Sequence, residues 1–325
     1  MKNPVIPPGP LMVLLLSLSY MAARSQDRQQ LLKQADQFVA DSNYGKAITI
    51  FNKQLEADST DYEIYRKRGD LYVDMKDYRQ AFKDYTYSIQ YNGHYCLAWL
   101  QRAVLLSRLE YYDKAVEDYD AALLYADDKD IKVMIYVNRG ELKRKLQQPE
   151  EDVNDLKKAL QLDPASLGIL ANLGNVLSDL NRKDEAILYL QKAIAIDPNF
   201  EGGIGNLAFI YAEMGNYRKS IELDDKLLKI KPNEPFALNN RGYAKMMAGD
   251  LTGALEDINN SILKMPYNSF AFRNRALLYL KQNKKAEACE DLHKALELGF
   301  TKDYGDEVEQ LAKKNCESEE KANKM

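Results

Sequence analysis

Histidine is almost missing: the 325 residues hold two, His94 and His293, in widely separated segments. Neither a centre with several imidazole ligands nor a nucleophile–histidine–carboxylate set can be assembled from them. Cysteine is scarce too, with three residues and no closely spaced pair to suggest a metal site. No glycine-rich loop ends in Lys-Ser or Lys-Thr, which removes the usual phosphate cradle. The run Gly203-Ile-Gly205-Asn-Leu-Ala208 imitates a dinucleotide fingerprint, but no strand-like segment precedes it. Basic charge is not in excess, with 45 Lys and Arg against 49 Asp and Glu, a net charge of −4. The signs are mixed along the chain and no basic stripe appears, so nucleic acid is not an expected partner. No apolar run is long enough to span a bilayer, which takes about 20 residues. These absences imply no cofactor, and no small-molecule substrate is evident.

The longest apolar-leaning run, Leu11–Ala23, follows Lys2 and four prolines, and small residues Ala23 and Ser25 stand before Gln26. It suits the central region of a secretory signal cut before Gln26. Residues 1–25 are therefore expected to be a signal peptide and the protein exported, to the periplasm or cell envelope. Membrane contact is expected only through this segment, if it stays uncleaved. The alternative is a mis-assigned start and a cytoplasmic protein, because one lysine and several prolines make a poor leading region.

What the chain has in abundance is a period of 34 residues. Small residues recur at Ala47, Ala81 and Ala115, then, after a shift of three, at Ala186, Ser220, Ala254 and Ala288. A second set runs Ala35, Gly69, Ala103, Gly140, Gly174, Ala208, Gly242 and Ala276. Prolines close the later periods at 164, 198, 232 and 266, and residues 167–200 read "LGILANLGNVLSDLNRKDEAILYLQKAIAIDPNF". Each period carries two apolar-periodic segments long enough for helices, separated by turn residues such as Gly215-Asn216, Gly249-Asp250 and Asn283. Small residues at positions 8 and 20 let the two helices approach closely. One such hairpin cannot bury its own apolar face, so neighbours must stack.

This pattern resembles the tetratricopeptide repeat (TPR) family. The resemblance implies an all-α fold, an α-solenoid or superhelix of about eight helix hairpins. The expected layout is residues 26–129 as repeats one to three, 130–132 as an insertion, and 133–302 as repeats four to eight. A capping helix over 303–316 and a disordered tail over 317–325 complete it. In repeat four, Asp152 replaces the small residue of position 20. A buried carboxylate there is costly, so looser or re-registered packing is expected between repeats three and four.

Position 6 of the first helix holds asparagine five times running, at Asn138, Asn172, Asn206, Asn240 and Asn274. Positions 2, 6, 9 and 13 share one helix face. In the family that face lines the concave groove. A carboxamide offers an acceptor and two donors, which match the C=O and N–H of a backbone whatever its side chains. Stacked helices lie about 8–10 Å apart and an extended strand advances roughly 3.3 Å per residue, so each rung meets about every third residue. The arrangement is similar to the asparagine ladder in the TPR domain of O-GlcNAc transferase, which implies backbone-directed peptide capture. The competing reading is that these amides only bond locally. Gly168, Ala171, Gly202 and Gly205 leave room near the central rungs. Phe209, Phe236, Tyr243, Met246, Met247 and Phe270 are candidates for an apolar wall, with plain packing between repeats as the alternative.

Repeats one to three present a charged face instead, including Lys33, Asp36, Arg66, Lys67 and Asp70. Fourteen of the 22 tyrosines lie between 28 and 166, which we read as filler for half-buried helix faces. Among the cysteines, Cys289 and Cys316 fall where a second helix begins and an antiparallel capping helix ends, so they are placed to meet. The ending is similar to that of exported bacterial TPR proteins. Export makes a Cys289–Cys316 disulfide plausible, with a buried free thiol as the alternative. The sequence thus reads as a non-catalytic scaffold for a protein or extended peptide, with Asn138, Asn172, Asn206, Asn240, Asn274, Phe209 and Tyr243 as binding residues. A structural adaptor in a cell-envelope assembly or secretion complex is the alternative.

Overall fold

The computed structural model describes residues 28–322, and among them every regular element is a helix. The expected signal peptide, residues 1–25, lies outside the described residues. Eight hairpins follow one another. The first pairs α1 (28–40) with α2 (Tyr44–Ala57), and the second α3 (Tyr62–Asp74) with α4 (Tyr78–Tyr91). Then come α5 (Cys96–Arg108) with α6 (Tyr112–Tyr125), and α7 (Lys129–Lys145) with α8 (Pro149–Leu162). The later pairs are α9 (Leu167–Asp179) with α10 (Lys183–Ile196), and α11 (Glu201–Glu213) with α12 (Tyr217–Ile230). The last are α13 (Pro235–Ala248) with α14 (Leu251–Lys264), and α15 (Ser269–Lys281) with α16 (Lys285–Glu297). The short α17 (Phe300–Tyr304) and α18 (Glu307–Ala322) close the chain.

Every hairpin turn uses one residue of positive φ: Ser42, Lys76, Glu110, Gln147, Asn181, Gly215, Gly249 and Asn283. They recur every 34 residues except between 110 and 147, where residues 130–132 intervene. Those three join the first turns of α7, which runs 17 residues where α5 and α9 run 13. The insertion is thus absorbed as extra helix, not as a loop.

The small residues do what their spacing predicts. Ala47, Ala81, Ala115, Ala186, Ala254 and Ala288 are all fully buried where the paired helices meet. A side chain added at Gly174 would strike Leu190, and one at Gly242 would strike Ile258.

Contacts divide the chain into two compact units, Met1–Asp155 and Leu156–Met325, with the boundary inside α8. In the first unit, one apolar cluster runs from Leu100 and Ala103 through Tyr119 and Ala126 to Ile135 and Leu142. Repeats three and four therefore share a core, and the expected loosening between them is corrected. Arg139 of α7 adds to it by bonding both Asp120 of α6 and Asp155 of α8. Asp152 is tolerated at its close-contact position because it lies against Gly140 and 3.4 Å from Arg144. Burial still pushes its carboxyl up to about 6, the Arg144 charge opposing the rise and Asp155 and Glu141 adding to it.

In the second unit, clusters around Ile204–Leu238, Met246–Leu278 and Phe272–Val308 form its core. At its end, Cys289 of α16 and Cys316 of α18 stand in bonding position, 5.7 Å between Cα atoms. Helix α18 continues past Cys316 to Ala322, into the segment expected to be disordered. The sequence Glu-Ser-Glu-Glu-Lys-Ala is made largely of good helix formers.

Candidate functional site

In the second compact unit the first helices of successive repeats, α9, α11, α13 and α15, touch one another in order. They share a face that carries position 6. Asn172 on α9 is exposed, and Asn206 on α11 and Asn240 on α13 are half-buried, with their amides reaching the cavities described below. Asn274 on α15 differs: it is 3 % exposed and committed internally. Its Nδ2 donates to Asn239 Oδ1 at 2.9 Å, and its Oδ1 accepts from Arg273 Nη1 at 2.8 Å. Asn138, in the first unit, is half-buried and hydrogen-bonds the hydroxyl of Tyr119. The five asparagines thus share a repeat position and not a role. Asn172, Asn206 and Asn240 stand at position 6 of successive first helices in one unit, without the internal bonds of Asn274.

Between α11, α13 and α15 opens a cavity of about 480 Å³, with Tyr304 at its far side. Phe209, Phe236, Tyr243 and Phe270 supply its apolar wall, and Asn239, Asn240 and Asn274 its amides. Phe209 is 48 % and Phe236 53 % exposed, large apolar surfaces left facing solvent. Phe270 is fixed by Tyr304, 4.3 Å between ring centroids, and by Phe300 at 5.1 Å. Arg273 sits 5.8 Å over the Tyr243 ring and pairs with Glu307 at 2.5 Å. Met246, an expected wall residue, is buried in the core beneath and takes no part in the wall.

Phe209, Phe236 and Asn240 also border a second cavity of about 500 Å³ between α11, α12 and α13. Gly205, Asn206, Leu227 and Asp224 line it, together with Glu201, Lys231 and Glu234. The central glycines divide accordingly. Gly205 borders the cavity, and the Phe200 ring occupies the space above Gly203 and approaches Gly202. Gly168 faces open space, and Ala171 is buried.

Asp224 is fully buried, and neither of its oxygens has a hydrogen-bond partner. Desolvation raises its carboxyl to about 8, against the opposing charge of Arg241 and with Asp225 and Asp257 adding to the rise. At neutral pH it is mainly the uncharged acid.

The charged face of the first unit is largely self-satisfied. Arg66 pairs with Asp70 and bonds Tyr95 Oη at 3.0 Å, and Lys67 stands 3.4 Å from Asp36. His94 lies edge-on to Tyr125, 4.7 Å away. Among the described residues no group of three or more His, Cys, Asp or Glu side chains is placed to hold a metal ion. None of the described helices is long and apolar enough to cross a membrane.

Two features escaped the reading of the sequence. One is Asp224. The other is an arginine clamp at repeat position 7. Arg68, Arg102, Arg139, Arg241 and Arg275 each grip an aspartate sixteen residues later with two bonds of 2.6–2.8 Å. The third nitrogen of each reaches back to the preceding hairpin, to Asn52, Thr86, Asp120, Asp225 and Asn259 in turn. The Arg-x15-Asp spacing was visible in the sequence. The period of small and apolar residues does not single it out.

Models of the tetratricopeptide repeat match residues 97–129, 135–166 and 169–200. A tetratricopeptide repeat and J domain-containing co-chaperone of Cryptococcus neoformans is 26% identical over 167 residues, which are 48% of this chain and 32% of that protein. Sperm-associated antigen 1 of Homo sapiens is 27% identical over 108 residues, 33% of this chain and 11% of that protein. The chain thus spans about a third or less of the length of these relatives. Among solved structures, the C-terminal part of a TPR repeat-containing protein from Cytophaga hutchinsonii has a TM-score of 0.61 at 18% identity, covering 75% of this chain and 98% of that one. YrrB, a TPR protein with an unusual peptide-binding site, has a TM-score of 0.50 at 23% identity, covering 58% and 95%. These likenesses show the fold.

Proposed function

We propose that this tetratricopeptide-repeat protein is a non-catalytic scaffold that holds an extended protein segment on the first-helix face of its second compact unit. The observation that carries the reading is the shared wall of the two cavities, where exposed Phe209 and Phe236 stand beside the amides of Asn206 and Asn240. Exposed aromatic surface around a concavity marks an interaction site. Carboxamides alongside it give a guest's backbone both a donor and acceptors. The rungs Asn172, Asn206 and Asn240 orient the segment at ~1 kcal/mol per neutral hydrogen bond. Phe209, Phe236, Tyr243 and Phe270 receive its apolar side chains. The peptide-binding site of YrrB and the co-chaperone role of the C. neoformans relative agree with a protein or peptide ligand.

The site of action in this reading is outside the cytoplasm. The leader-like residues 1–25 and the Cys289–Cys316 pair support it, the pair acting as an oxidised bridge of the kind that persists in exported proteins. Mass mapping of the secreted chain tests this point: a product beginning at Gln26 is expected, and one beginning at Met1 contradicts it.

Capture itself is tested with a random library of 12-residue peptides panned against the wild type and against the Asn172→Ala, Asn206→Ala, Asn240→Ala triple variant. Peptides enriched by the wild type should bind the variant at least tenfold more weakly, with an unchanged helical circular dichroism spectrum. Equal affinity removes the amides from the account.

A further inference from the structure

The cavity between α11, α12 and α13 has a feature that backbone capture does not use. In the other repeats the position of Asp224 holds a large apolar side chain: Tyr85, Tyr119, Leu156, Leu190, Ile258 and Leu292, all buried. Here a shorter, polar residue stands in the wall of a cavity of about 500 Å³. The buried aspartates of the clamp series, one position earlier in their repeats at 84, 118, 155, 257 and 291, are each held by an arginine. Asp224 is not. The cation whose charge acts on it, Arg241, is already divided between Asp257 and Asp225, and Lys245 also goes to Asp257. A buried carboxyl with two idle oxygens destabilises a fold, and among the described residues neither oxygen finds a hydrogen-bond partner.

We propose that this cavity is a specificity pocket for one basic side chain, lysine or arginine, of the captured segment, and that Asp224 receives its charge. The inference rests on the capture reading for the chain that delivers the side chain, while the chemistry of the pocket stands by itself. Three acids line the cavity, Glu201 on α11, Asp224 on α12 and Glu234 at the start of α13, against one base, Lys231, which pairs with Glu201. A cation is the guest that this balance favours. Its volume is within the range of small-ligand sites and admits a long side chain. Asn206 and Asn240 flank it, with amide oxygens able to accept from an ammonium or guanidinium group. The oxygens of Asp224 are buried, so capture includes a turn of the carboxyl about its side-chain torsions into the cavity that Asp224 lines. Because the free carboxyl is mainly protonated at neutral pH, pairing with a cation releases one proton to solvent. Affinity for a cation then rises with pH, about tenfold per pH step below 8. The other charged groups facing the pocket are Glu201, Lys231 and Glu234 at its lining, with Asp225, Arg241 and Asp257 acting on Asp224 from behind it.

The test uses the full chain with Nα-acetyl-arginine-N-methylamide and its uncharged citrulline counterpart as probes, followed by NMR of 13C-labelled aspartate carboxyls. The arginine probe is expected to bind at least tenfold tighter than the citrulline probe. That preference should vanish in both Asp224→Asn and Asp224→Leu, the latter matching the apolar residues of the other repeats and so expected to fold. Equal binding of the two probes to the wild type overturns the inference, as does a preference that survives in Asp224→Leu. Panning the peptide library on wild type and Asp224→Leu separates the two claims. A lysine or arginine at one fixed register, enriched by the wild type alone, supports the pocket. Identical peptides enriched by both overturn the pocket and leave capture standing. Enrichment by neither overturns capture, and the amino-acid probes still decide the pocket.

Discussion

At the scale of single residues, Asp224 makes the sharpest prediction. Its folded-state carboxyl titrates at about 8, above the ordinary 3.8, because burial disfavours the charge. The native state therefore holds a proton that the unfolded chain has released. Stability from this group is complete below about pH 4 and is lost as pH rises through about 8. Asp224→Leu should stabilise the protein at pH 8 by about 1–3 kcal/mol, the usual penalty of an unsatisfied buried polar group. The advantage over wild type should shrink as pH falls to 5. Urea denaturation at the two values measures both, and a gain independent of pH would assign the effect to packing alone. Gly205 gives a companion prediction. Alanine there meets only Leu227 at ordinary contact distance, so Gly205→Ala should stabilise α11 by up to ~1 kcal/mol. It should nevertheless weaken peptide binding, because it narrows the cavity beside Asn206. Periodicity placed all five asparagines on one helix position. It could not show that Asn274 is consumed by Asn239 and Arg273, because those partners belong to no repeat rule.

At the scale of the helix and the hairpin, the arginine clamp and the turn residue are the devices that recur. Arg275 bonds Asp291 in its own hairpin and Asn259 in the one before. Arg275→Leu strands a buried carboxylate and should cost about 3–5 kcal/mol. The double variant with Asp291→Leu should recover most of that, since repeats five and six hold Leu173 with Tyr189 and Leu207 with Leu223 at the same two positions. Chemical denaturation of the single and double variants provides the coupling energy, and additive losses contradict a clamp. At the turns, Ser42, Lys76, Glu110 and Gln147 adopt positive φ without being glycine. Glu110→Gly should gain on the order of 1 kcal/mol by relieving that backbone. Helix positions, the shared small-residue contacts and the number of hairpins were legible because they rest on a period. The clamp rests on Arg-x15-Asp pairs, a spacing present in the sequence that the period of small and apolar residues does not single out. The packing at Asp152 departs from the expectation for a related reason: Gly140 gives it room and Arg144 gives it a partner.

At the scale of the whole molecule, stability in a stack of repeats is nearly a sum over neighbours, so a terminal device acts locally. Cys289 and Cys316 are separated by 27 positions, and a bridge across such a loop is worth about 3 kcal/mol in the chain-entropy estimate. Reduction should speed amide exchange in α16 and α18 and leave α3 to α6 unchanged; uniform acceleration would mean a single cooperative block. The fold class and the eight hairpins were open to sequence reasoning because 34-residue spacing encodes them directly. The partition at Asp155 was not, since it falls inside α8 and at no break in the period. The central claim is that the first-helix face of the second compact unit holds an extended segment. Hydrogen exchange with and without a library-enriched peptide tests it most directly: slowed exchange is predicted along α9, α11 and α13, whereas slowing confined to α10, α12 and α14 would contradict the account.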